Sequence, residues 1–169
     1  GKGWRERALL KKYVDLKNIE HKKTYMATGP ILSYENEENA YGDFVENWAR
    51  SSLTMHKEAQ GHYTRYIHIL QPNQYVPGSK VLTNKERRDA WGESKGGTKN
   101  RYQVGVEAGY PLLIKKGEEL RESGVEFYDF TMIYKDVADL IYVDTCCHVN
   151  RLGNRIMAKE MAEIILSKM

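Results

Sequence analysis

Apolar residues along this chain gather in short runs, at 66–70, 125–130, 140–143 and 156–166, with long polar stretches between them. Tyr66-Ile67-His68-Ile69-Leu70 and Val125-Glu126-Phe127-Tyr128-Asp129-Phe130 are rich in β-branched and aromatic residues and read as strands. Leu140-Ile141-Tyr142-Val143 reads as a third, briefer extended run. Helical patterns alternate with them. Residues 4–17 carry Leu9, Leu10, Tyr13, Val14 and Leu16 on a charged background, and a polar stretch through Thr28-Gly29-Pro30 to Asn39 follows. Over 41–60, Phe44, Trp48, Ser52, Met55 and Ala59 recur at near-helical spacing, with Asp43 placed to cap the start.

Breakers and caps divide the rest. Residues 71–79 are a loop containing two prolines and a glycine. Thr83 followed three residues later by Glu86 is a capping-box pattern, which predicts a helix over 84–91. A polar connection follows over 92–100, then a long helix over 102–123 that Gly124 stops. After the third apolar run, 144–151 reads as a loop and 154–168 as an amphipathic helix with Ile156, Met157, Met161, Ile164 and Ile165 along one side. Helix, strand, loop, helix, strand, loop, helix is the rhythm of an α/β layered domain, and the whole chain reads as one such domain.

Composition narrows the classes. With 41% hydrophobic and 29% charged residues in 169, the chain is expected to be globular rather than disordered. No stretch approaches the roughly 18–20 apolar residues of a membrane-spanning helix. The net charge of +3 comes from short basic clusters with acids close by, the pattern of a solvated surface, so nucleic acid is not an expected partner.

The densest chemistry lies in Tyr142-Val143-Asp144-Thr145-Cys146-Cys147-His148-Val149-Asn150-Arg151-Leu152-Gly153-Asn154. An Asp and a His on one short loop can meet without long-range coincidence. The carboxylate would hold the imidazole in one tautomer and support it when protonated. Imidazole, which ordinarily titrates near neutrality, suits a general base for a hydroxyl nucleophile. Spacing alone equally fits an exposed loop histidine beside a helix-capping neighbour. Gln71, Asn73 and Gln74 follow directly on a strand, either to bind a polar substrate in the cleft or to satisfy the loop backbone. Tyr75 and Trp91 offer aromatic faces for stacking on a sugar, or else pack. Adjacent Cys146 and Cys147 do not make a zinc site, which normally draws four ligands from separated pairs.

The block around Asp144 and His148 resembles the last conserved segment of the SGNH/GDSL ester hydrolases, where an Asp and a His share a loop before the C-terminal helix. The resemblance extends upstream through Phe127-Tyr128-Asp129-Phe130-Thr131 and more loosely to Leu70-Gln71-Pro72-Asn73-Gln74-Tyr75. It implies a three-layer α/β/α sandwich of flavodoxin-like kind with a mainly parallel sheet. It also implies hydrolysis of an acyl or carbohydrate ester by a serine, with His148 and Asp144 catalytic and no cofactor or metal. Two departures stand out. The family usually has two residues between Asp and His, and this chain has three. The family's nucleophile block is missing: Gly42-Asp43-Phe44 has Phe where the serine belongs, and Ser51 and Ser52 lie inside a helical pattern. The chain therefore reads as the C-terminal portion of such a domain, with its first strands and its serine expected upstream. The competing readings are a non-catalytic carbohydrate-binding or accessory domain of the same fold, and a small metal-binding α/β module.

Overall fold

The computed structural model describes residues 32–92 and 99–167. The chain divides into two compact units, Gly1–Glu37 and Glu38–Met169, and the elements below belong to the second, save the first residue of the first helix. The helix expected over 4–17 lies outside the described residues.

Among the described residues, four helices and a two-stranded parallel sheet make up a mixed α/β arrangement: α1 (Glu37–Gly61), β1 (Ile67–Leu70), α2 (Asn84–Asp89), α3 (Arg101–Glu122), β2 (Glu126–Asp129) and α4 (Arg151–Leu166). Parallel strands need a crossover, and α2 and α3 supply it. Ile67 pairs with Glu126 and Leu70 with Asp129 across the sheet. The starts of α2, α3 and α4 are each capped by a side chain. Thr83 and Glu86 form the capping box of α2, and Asn100 and Asn150 each accept two amide protons at the starts of α3 and α4. Gly124, at φ +91°, makes the left-handed step between α3 and β2.

One apolar cluster joins Ala49, Leu70, Leu120, Val125 and Phe127, with Trp48, Leu53 and Ile114 packed against it. Here α3 lies very close to the sheet. A Cβ added at Gly117 would stand 2.2 Å from the Phe127 ring, and that ring is only 2% exposed. Gly117→Ala is accordingly expected to destabilise the fold by about 1–3 kcal/mol through overpacking, although alanine is the better helix former. Urea unfolding measures it; a stability equal to or above wild type would contradict this packing. A second cluster, of Ala90, Tyr134, Ile141 and Tyr142 with Val149, Leu152 and Ile156, lies at the base of the Asp144–His148 loop.

The structure differs from the sequence expectation in four places. Helix α1 begins at Glu37, so Asp43 is inside it rather than at its cap. Its buried residues are Val45, Ala49 and Ser52, while Phe44 and Met55 are about half exposed (51% and 49%). Ser52 meets Nδ1 of His68 on β1 and Ala49 belongs to the core cluster, and these contacts set the inward face. Helix α2 stops at Asp89, before Trp91. The run 140–143 is no strand of the sheet. The amides of Ile141 and Tyr142 both donate to the Glu86 carboxylate, and Tyr142 makes one antiparallel bridge to Val149. Helix α4 starts at Arg151, since Asn150 captures the Leu152 and Gly153 amides, and Ile165 at its far end is 48% exposed.

Candidate active site

The loop from Asp144 to His148 is closed at its base by two backbone ties. The Val143 amide donates to the His148 carbonyl at 3.0 Å and the Asn150 amide to the Ile141 carbonyl at 2.8 Å, which together make the antiparallel bridge of Tyr142 to Val149. Inside it, Asp144 does two jobs. Its Oδ1 accepts from the Cys146 amide at 2.8 Å and the His148 amide at 3.3 Å, while Oδ2 stands 2.6 Å from Nδ1 of His148. Cys147, at φ +63°, occupies the left-handed region rarely used by non-glycine residues. That step turns the chain back within three intervening residues, so the additional residue in the Asp–His spacing does not separate the two side chains.

The electrostatics follow from these contacts. Partial burial works against the charged form of Asp144. The imidazole of His148 and the two loop amides outweigh it and hold the carboxyl below the usual carboxylate range. The His148 side chain is 70% exposed, so Nε2, on the far side of the ring from Asp144, faces outward from a fixed imidazole. Burial first, then the charges of Cys146 and Asp144, push the Cys147 thiol up, which leaves it a poor thiolate nucleophile.

Residues after β1 brace this loop from below. Gln74, only 2% exposed, donates through Nε2 to the carbonyls of Asp144 at 2.9 Å and Ala90 at 3.1 Å. Asn73 accepts from the Tyr75 amide and, through its carbonyl, from the Ser79 hydroxyl, which shapes the turn. Gln71 is exposed and reaches Sγ of Cys147 at 3.3 Å, so the loop stands at the carboxyl end of β1, where sites form in open α/β sheets. Of the three residues expected to bind substrate, Gln74 is committed to backbone, Asn73 lines a cleft beside the loop, and Gln71 faces solvent. Tyr75 is 1% exposed and presents no stacking face. Its hydroxyl donates toward the Ala90, Trp91 and Thr145 carbonyls and accepts from Asn100.

That cleft, of about 270 Å³, is lined by Asn73, Arg101, Tyr102, Gly105, Val106 and the three loop residues Thr145, Cys146 and Cys147. A larger cavity of about 510 Å³ lies against His56, Arg65, Arg121 and Glu126, with no residue of the Asp144–His148 loop in its wall. Both of its guanidiniums are committed. Arg65 bonds Glu126 and the Ile164 and Ile165 carbonyls, and Arg121 bonds Glu118 and the Phe127 carbonyl.

Five of the six described serines are bonded within the fold, and Ser33, in the first unit, is exposed. Ser51 bonds the Asn47 carbonyl one turn back. Ser52, fully buried, stands 2.6 Å from Nδ1 of His68 and 3.3 Å from the Tyr66 hydroxyl. Burial pushes His68 down, so this Ser–His pair is a neutral, satisfied part of the core. Ser79, Ser123 and Ser167 bond backbone carbonyls of Asn73, Glu119 and Ile164. Among the described residues no three His, Cys, Asp or Glu side chains cluster to hold a metal ion, and no helix is long and apolar enough to cross a membrane.

Sequence reasoning did not single out Arg101, Tyr102 or Asn100. Asn100 had a legible signal, an Asn directly before a helical run. The place of Arg101 and Tyr102 beside the loop has none in the linear pattern. No family model, no curated protein and no solved structure matches this chain.

Proposed function

We propose that this chain supplies the acid–base pair of a serine ester hydrolase whose full domain is a three-layer α/β/α sandwich. The observation that carries the reading is the Asp144 Oδ2–His148 Nδ1 contact of 2.6 Å on an exposed loop, leaving Nε2 toward solvent. In this reading His148 takes the proton of a serine hydroxyl as the oxygen attacks the ester carbonyl. It then delivers that proton to the departing alcohol and afterwards activates water against the acyl-enzyme. Asp144 stays ionised, fixes the tautomer and supports the imidazolium. Gln74 and Tyr75 hold the loop carbonyls of Asp144 and Thr145, which sets the direction of the imidazole. In this reading the nucleophile is neither Ser51 nor Ser52, whose hydroxyls are already bonded within the fold. The resemblance of the Asp144–Asn154 block to the SGNH/GDSL segment supports the same chemistry.

A fluorophosphonate probe tests the nucleophile directly. The complete reading frame is expected to hydrolyse p-nitrophenyl acetate, to lose that activity on labelling, and to carry a single adduct on a serine other than Ser51 and Ser52. An adduct on either of those two, or turnover that persists after full labelling, rules out this assignment of the nucleophile.

A further inference from the structure

The cleft beside the loop is mostly apolar, walled by Tyr102, Gly105, Val106 and the Thr145–Cys147 segment, yet one full charge stands at it. The Arg101 guanidinium lies 4.9 Å from the centre of the Tyr102 ring and donates from one terminal nitrogen to the Tyr102 hydroxyl at 3.0 Å. This places the cation without neutralising it. Among the described residues no carboxylate pairs with Arg101, whereas neighbouring Lys99 is matched by Glu107. Asp144, on the same loop as the cleft wall, is engaged by His148 and by two amides. A planar guanidinium held on one edge keeps its other N–H donors for a ligand, in the fork geometry that suits an oxyanion group.

We infer that the cleft selects a substrate carrying an anionic group, such as a carboxylate, a few bonds from the scissile ester, with Arg101 as its counter-charge and the Tyr102–Val106 wall against its short apolar part. This rests on the ester-hydrolase reading for its consequence in turnover, though not for its consequence in binding. Residues 145–147, which line the cleft, are the very residues between Asp144 and His148; neither of those two side chains is in its wall, so a ligand seated there would reach the pair only by extending past this segment. Gly105 keeps the wall low: a Cβ there would meet only the Tyr41 hydroxyl, at 3.9 Å.

The test compares p-nitrophenyl acetate with mono-p-nitrophenyl succinate, which share a leaving group and differ in the carboxylate. Wild type is expected to favour the succinate in kcat/KM, and Arg101→Gln to lower the succinate-to-acetate ratio about tenfold, the scale of one charge-assisted contact at a partly exposed site. Arg101→Lys should retain more of the preference than Gln. A ratio that Arg101→Gln leaves in place overturns the inference. If neither ester is hydrolysed the enzymatic reading fails, and calorimetric titration still decides the cleft. Monomethyl succinate binding more tightly than dimethyl succinate, with the difference abolished by Arg101→Gln, sustains it; equal binding or none overturns it.

Discussion

Replacing His148 by alanine is expected to lower kcat/KM for p-nitrophenyl acetate about a thousandfold or more in the complete reading frame, without a matching loss of stability. The size follows from what the ring would do, since a positioned general base contributes roughly 10²–10⁴ to a rate. The separation of activity from stability follows from where the ring is. The His148 side chain is 70% exposed, and its backbone, which alanine retains, makes the ties to Val143 and Asp144. An exposed side chain of this kind usually changes stability by no more than about 0.5 kcal/mol. Steady-state rates paired with a urea midpoint distinguish the outcomes. Activity that survives the change would reduce His148 to a loop residue. Activity lost together with the fold would mean that the ring is structural.

The second large effect is expected at Glu86, far from any substrate. Its side chain is 0% exposed, and so is that of Lys80, 3.1 Å away. Four donors converge on the one carboxylate: the amides of Thr83, Ile141 and Tyr142, and the Lys80 ammonium. Burial pushes its pKa up, but these bonds together outweigh burial and hold it below the usual carboxylate range. Glu86→Gln keeps the shape, leaves the buried Lys80 ammonium with the Val81 carbonyl but no counter-charge, and turns one acceptor into a donor. Breaking a buried pair from one side costs about 3–5 kcal/mol, a large part of the roughly 5–15 kcal/mol that holds a domain together. Chemical denaturation at pH 7 measures it. The double change Glu86→Gln with Lys80→Met should recover part of the loss, because it removes the stranded charge as well. A cost below about 1 kcal/mol for the single change would mean that the carboxylate is not the hub of this contact. The pH dependence has a definite sign. A carboxyl with a depressed folded-state pKa contributes stability above its unfolded value, near 4.5. That contribution is lost as the pH falls below it through the folded-state value.

How far the sequence reaches is clearest at these same residues. Thr83 and Glu86 announced a helix start by their spacing, and the capping box forms. Nothing in the spacing indicated that the same Glu86 would take two further amides from residues more than fifty positions along. That is why 140–143 has the composition of a strand and yet pairs with nothing in the sheet: its donors go to a side chain. The Asp144–His148 contact was legible because both residues share one loop, and local geometry suffices. The supporting contacts of Gln74 and Tyr75 were not, since they depend on how β1 delivers its following turn beneath that loop. The phase of α1 was misread for a related reason. Its inward face is set by the Ser52–His68 contact to β1 and by Ala49 in the core cluster, while apolar periodicity favoured Phe44 and Met55.

The anchoring of the Asp144–His148 loop has an evolutionary corollary. Gln74 and Tyr75 grip it by the carbonyls of Asp144 and Thr145, atoms that every amino acid possesses. The side chains at 145 and 146 are therefore open to drift under selection while the Asp144–His148 pair keeps its place. Position 147 is narrower, because its left-handed backbone favours glycine or asparagine as replacements. Lineages that share this loop would be expected to diverge first in what they recognise and last in how they move a proton.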